Sequence, residues 1–164
     1  MALRTITEYP NAVLAVTGEP VTNFDKSLAE LSEDMFETMY DAEGVGLAAP
    51  QIGLSLRLFV MDCEGIKLVA ANPEILEITG EESSQEGCLS VGKVPAVLKR
   101  AHRARLRAQN LRGEWFEIEA EGLAARCFQH EIDHCNGLLF IDHLPKARRE
   151  MIIKRFKKDK KLFG

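Results

Sequence analysis

Apolar positions recur along this chain with two periods, and the changes of period mark out its elements. Between Asp25 and Ala42, Leu28, Leu31, Met35, Met39 and Tyr40 fall at helical spacing. Ser27 with Glu30 makes a capping-box pattern near the start, and Gly44 is the expected terminator. From Arg57 the period shortens. Arg57–Asp62 and Ile66–Ala71 are β-rich runs around a Cys63-Glu64-Gly65 turn, a hairpin pattern, and Asn72-Pro73 opens another strand over Glu74–Thr79. Leu98–Asn110 alternates through Ala104, Leu106 and Ala108, turns at Arg112-Gly113 and returns as Trp115–Ala120. Helical spacing then resumes. Leu123, Cys127, His130 and His134 share one face, and Ala124, Phe128, Ile132 and Cys135 line another. Arg126, Gln129, Asp133 and Asn136 make the one polar stripe, and Gly137 stands where a left-handed C-cap belongs. A helix apolar on most sides belongs in a core.

No strand–helix–strand alternation appears, so the expected class is α+β. Antiparallel β-sheets would pack around a central buried helix, with one helix N-terminal and another C-terminal. The chain has 164 residues, 46% of them hydrophobic, and shows no repeat or linker, which predicts one domain spanning residues 1–164. No apolar run approaches the ~20 residues a membrane span needs. Met1–Ile6 has no signal-peptide character, so a cytoplasmic protein is expected. Cys63, Cys88, Cys127 and Cys135 show no CxxC pair or framework spacing, and in a reducing compartment they are thiols. The net charge of −4 is unevenly placed. From Lys146 onward nine Lys and Arg face only Glu150 and Asp159, a net +7, which leaves −11 on the remainder. A basic tail on an acidic body suits a polyanionic neighbour, although a solvated helix face gives the same pattern.

The chemistry concentrates in Gln129-His130-Glu131-Ile132-Asp133-His134. Histidines four apart on a helix stack with about 5–6 Å between Cβ atoms, so both can grip one metal ion. Glu131 beside them can act as general base towards water. Two core histidines satisfied by hydrogen bonds would give the same spacing. A third ligand must come from elsewhere. Phe140 occupies the place of the last histidine in an HExxHxxGxxH pattern. Glu150 is a weak carboxylate candidate for an endopeptidase-type site. Cys88, in Glu86-Gly87-Cys88-Leu89-Ser90, completes a Cys-His-His set with an open fourth position. A closed structural site would draw its fourth ligand from His102 or Cys63. Gly44-Val45-Gly46-Leu47-Ala48-Ala49-Pro50-Gln51 is dense in small residues, which lets another backbone approach. Gln51 is its only long polar side chain, and it is no phosphate loop.

Taken in order, Gly44–Gln51, Glu86–Ser90 and Gln129–His134 resemble the three motifs of the peptide deformylases. The resemblance extends from the N-terminal segment to about His143. It implies hydrolysis of the N-formyl group from the initiator methionine of new polypeptides. By the same resemblance Cys88, His130 and His134 hold one divalent metal ion, Fe2+ natively or else Zn2+, Ni2+ or Co2+. Glu131 moves the proton, and Gln51 with the backbone N–H of Leu89 stabilises the oxyanion. Val45, Gly46, Gly87, Leu123 and Cys127 contact the substrate, an N-formylmethionyl nascent peptide. The basic C-terminal helix from about residue 146 would dock on the ribosome, and neither a membrane nor DNA is expected as a partner. Gly92, Pro95 and Cys135 depart from the family pattern, at positions that are neither ligands nor the base. Arg100 is the candidate to orient Glu86 or Asp133.

Overall fold

The computed structural model describes residues 2–92 and 94–163, with side chains as far as Asp159. The N-terminal segment is irregular apart from a 3-10 turn at Ala12–Ala15 and leads into helix α1, Lys26–Asp41. Its N-cap is Asp25, whose carboxylate accepts from Leu28 N–H at 3.1 Å, so the cap falls two residues before the expected Ser27. At the other end Glu43, not Gly44, takes the left-handed φ of 59°, while Gly44 N–H donates back to Met39 C=O at 2.9 Å.

Among the described residues seven strands follow in two antiparallel sheets. Strands β1 (Gly46–Ala48), β2 (Leu58–Cys63), β3 (Ile66–Thr79), β6 (Arg103–Gln109) and β7 (Trp115–Glu121) form one sheet in the order β1-β2-β3-β6-β7. Strands β4 (Glu82–Glu86) and β5 (Ala96–Arg100) form the second. The two strands expected on either side of Asn72-Pro73 are one. Asn72 adopts φ 50° at a bulge in the β3–β6 pairing, a conformation that asparagine tolerates, and its side chain bonds both N–H and C=O of Val21. Conversely, the single strand expected over Leu98–Asn110 is two. At Ala101 the chain leaves one sheet for the other, and the Gln129 amide replaces the ladder partner by accepting from Ala101 N–H and donating to its C=O.

On β6, Ala104, Leu106 and Ala108 point inward, and Phe116, Ile118 and Ala120 of β7 join them over helix α2, Gly122–Cys135. This helix packs on β1, β2, β3, β6 and β7. Its alanines (Ala124, Ala125) meet Ala104, Ala108 and Ala120 from the sheet, and these small residues admit the bulk of Phe59, Met61 and Phe128 between the layers. Gly137, at φ 78°, ends α2 as its position predicts, and a Cβ there would lie 2.7 Å from Val16 C. The chain closes with α3, Lys146–Phe163, which anchors Ile152 and Phe156 in a core that includes Cys88, Val91 and Phe140. Among the described residues, no helix is long and apolar enough to cross a membrane.

Candidate metal centre and active site

Cys88 comes two residues after the end of β4, and two turns of α2 bring His130 and His134 to it. The Cys88 Sγ lies 3.4 Å from His134 Nε2, which lies 3.2 Å from His130 Nε2. All three donor atoms fall within 4.8 Å of one another, and all three residues are buried or nearly so. A tetrahedral ion bonded at 2.0–2.1 Å to nitrogen and 2.3 Å to sulfur separates its ligands by roughly 3.3–3.6 Å. A soft thiolate and two imidazoles at these separations fit a divalent transition metal. The alternative ligands stand elsewhere. Glu150 is an exposed residue of α3 whose carboxylate lies 3.9 Å from Lys146 Nζ. His102 sits at the surface between Glu82 and Glu121, and Cys63 is buried in the core beneath the sheet.

The His130 ring is fixed before any metal is considered. His130 donates through Nδ1 to Glu86 Oε1 at 2.6 Å, which turns its Nε2 to the cluster. Burial alone would lower the His130 pKa, but hydrogen bonds to Cys88 and Glu86 outweigh it and hold it raised. Burial, reinforced by the neighbouring charge of His130, keeps His134 well below its ordinary value, in the neutral form a metal ion requires of an imidazole. Its Nδ1 is buried without a hydrogen-bond partner among the described residues. Glu86 in turn is held by Arg100, through Nε at 3.1 Å and Nη2 at 2.6 Å, and by Arg126 Nη1 at 2.8 Å. Burial pushes its carboxyl up, yet the bonds from His130 and Arg100 win and hold it well below the usual carboxylate range. Arg100 also reaches Asp133 at 2.6 Å, so it orients both acids rather than one of them.

Glu131 points from the same helix into a cavity of about 400 Å³. Burial pushes its carboxyl up to about 7, against the opposing pull of His130, and its Oε1 has no hydrogen-bond partner among the described residues. Gln51 is buried on a 3-10 turn, Ala49–Ile52. Its Oε1 accepts from Ala48 N–H at 3.0 Å, while Nε2 donates to Ser90 Oγ at 3.3 Å and towards Cys88 Sγ at 3.6 Å. Leu89 opens the 3-10 turn Leu89–Val91, where the first backbone N–H groups are not consumed by the turn itself. Val45, Gly46, Gly87, Leu89, Leu123 and Cys127 line the cavity beside Gln51, Cys88, His130 and Glu131. His134, fully buried, stands behind its wall.

Two participants escape the sequence reading. Ser90, buried, orients Gln51. Arg126, expected on a polar stripe, is buried at 4% exposure beneath Glu86. Its place four residues before His130 puts it over the same face, a signal that could have found it.

A family model described as polypeptide deformylase matches residues 3–150. A peptide deformylase of Acidobacterium capsulatum is 47% identical over 163 residues, which is 96% of each chain. Among solved structures, a peptide deformylase of Legionella pneumophila superposes with a TM-score of 0.94 at 48% identity, covering 98% of this chain and 97% of that one. The peptide deformylase of Thermotoga maritima gives a TM-score of 0.85 at 46% identity, covering 88% of this chain and 99% of the other.

Proposed function

The chain belongs to the peptide deformylase family, and on that premise we propose how its own residues remove the N-formyl group from the terminal methionine of newly made polypeptides. The reaction is a metal-dependent amide hydrolysis. The oxygen of water joins the formyl carbon, the C–N bond breaks, formate leaves, and the methionine nitrogen takes a proton. One observation carries the reading: Cys88 Sγ and the Nε2 atoms of His130 and His134 converge beside the buried carboxyl of Glu131.

Cys88, His130 and His134 would hold the ion, which when bound supplies Lewis acidity and makes water a nucleophile at neutral pH. A thiolate with two imidazoles accepts Fe2+, Zn2+, Ni2+ or Co2+, and we take Fe2+ as native. Glu131 receives the proton of the attacking water at its unpartnered Oε1 and delivers it to the leaving nitrogen. A carboxyl whose pKa stands near 7 is suited to both transfers. Gln51 Nε2 and Leu89 N–H face the oxygen that gains charge, and such donors are typically worth ~3–4 kcal/mol each. The peptide backbone lies along Val45-Gly46 and Gly87, strand to strand, and the methionine side chain enters between Leu123 and Cys127.

In this reading residues 1–164 form one catalytic domain of a cytoplasmic enzyme, with α2 as its central element. The basic α3 gives it a ribosomal partner through RNA phosphates. The endopeptidase alternative lacks a carboxylate ligand: among the described residues the third donor that joins the two histidines is Cys88, not Glu150. Glu131→Gln tests the reading. It keeps volume and hydrogen-bonding capacity but removes the base, so the variant should keep its metal and bind formyl-Met peptide with formate release down ~10²–10⁴-fold. Loss of the metal would instead make Glu131 a ligand, and retained turnover would require another base.

A further inference from the structure

Glu86 holds three side chains at once, in the interior. Arg100, Arg126 and His130 all donate to its carboxylate, and the side chains of Glu86, Arg100 and Arg126 are each at most 7% exposed. The two arginines use their remaining donors differently. Arg100 turns outward to Asp133, which also receives His143 Nε2 at 2.8 Å. Arg126 turns along β4, where its Nη2 donates to the backbone C=O of Glu82 at 2.8 Å. One guanidinium, a single turn before His130 on α2, thus spans β4 from its first residue to its last. Cys88 follows two residues after that strand ends.

We propose that Arg126 is a positioning residue for the Cys88–His130–His134 cluster. By bolting β4 to α2 it sets how far Cys88 Sγ stands from the two imidazoles. By sharing Glu86 with His130 it holds that ring with Nε2 turned inward. The proposal rests on reading the cluster as a metal site. A planar fork is what the task requires, because one guanidinium must reach a carboxylate and a carbonyl at fixed angles. Breaking any buried ion pair destabilises a fold, so stability alone does not separate positioning from plain packing. Metal affinity and ligand geometry do.

Arg126→Lys keeps the charge and most of the stem, but its single ammonium lacks the fork that holds Glu86 Oε2 and Glu82 C=O together. Arg126→Met keeps the stem and removes every donor. Both would be stripped, loaded with Co2+, and compared with the unsubstituted protein by chelator competition and by the visible absorption of the cobalt–thiolate chromophore. Neither readout depends on turnover. Outer-sphere partners of this kind are typically worth about 10–100-fold in metal affinity. We therefore expect Co2+ binding to weaken by that factor in Arg126→Met, and by less in Arg126→Lys, with the absorption bands shifted in both. Unchanged affinity and unchanged bands in Arg126→Lys would overturn the proposal, and that variant decides alone if Arg126→Met does not fold. A separate failure is recognisable. If the unsubstituted protein shows no cobalt–thiolate absorption, the cluster is not the metal site and the reading beneath the proposal falls with it.

Discussion

Substituting alanine for Gly46 adds a methyl group where the carboxylate of Glu131, the proposed base, stands. A Cβ at that position would lie 2.6 Å from Glu131 Oε2, 2.8 Å from Cys127 Sγ and 3.0 Å from Glu131 Cδ. Non-bonded carbons settle at about 3.5–4.0 Å, so the carboxylate must withdraw by roughly 1 Å. The strand cannot give way instead, because Gly46 is paired in register with Met61 of β2. Glu131 is the end of a flexible side chain, which makes the move cheap for the fold and costly for the reaction. A displacement of about 1 Å in a reacting group can cost ~10²-fold in rate, or about 3 kcal/mol of barrier. Gly46→Ala should therefore fold, keep its metal, and release formate from a formyl-Met peptide about 100-fold more slowly, chiefly through kcat. Adding Cys127→Ala should not restore the rate, since the clash with Glu131 remains. A kcat within threefold of the unsubstituted enzyme, at full metal loading, would refute this placement of the base.

Burial raises the Glu131 carboxyl from 4.5 to about 7, so the stability its neutral form supplies is complete below pH 4.5 and lost as the pH rises through 7. Metal-free Glu131→Gln should then gain on the metal-free enzyme between pH 5 and 8, by an amount on the order of 3 kcal/mol, and parallel thermal-denaturation profiles would contradict it. Gly92 has φ 62°, and a Cβ there would lie 2.7 Å from Phe156 Cδ1. Gly92→Ala should lower the thermal midpoint by roughly 5 °C, and Gly92→Pro by more because proline cannot reach positive φ, with kcat nearly unchanged at low temperature. Ile152 and Phe156 are buried, so a deletion meant to test the basic tail should begin after them. Removing residues 157–164 should weaken a salt-sensitive association with ribosomes and leave peptide turnover intact, as measured by co-sedimentation at two salt concentrations.

The sequence was most readable where one face of an element is apolar. The stripe from Leu28 to Met39 marks α1, and the alternation through Ala104, Leu106 and Ala108 marks β6. Strand β4, Glu-Ser-Ser-Gln-Glu, carries no apolar residue at all and forms through its pairing with β5, so no periodicity announces it. The break between β5 and β6 was hidden for the opposite reason: alternation runs on through Ala101, and only Gln129, from a distant helix, shows where the chain changes sheet. Local signals likewise placed Asn72-Pro73 as a boundary, whereas the surrounding ladder absorbs it as a bulge. In the site, the spacing of His130 and His134 and the thiol of Cys88 could be read from residue type, because a metal site demands those types. What holds them could be read only in part, in Arg100 but not in Arg126. Burying Arg126 takes a carboxylate and a carbonyl brought in by β4, and a sequence does not display such a partner.

The proposed deformylation requires one metal ion held by Cys88, His130 and His134. Its most direct test is to add Fe2+ anaerobically, or Co2+, to metal-free protein while following formate release from a formyl-Met peptide, in parallel with Cys88→Ala. The expected result is activity that is absent without metal, rises in proportion and stops at one equivalent, while Cys88→Ala retains neither metal nor activity. Formate release without metal, or a Cys88→Ala protein that keeps a full equivalent, would contradict it.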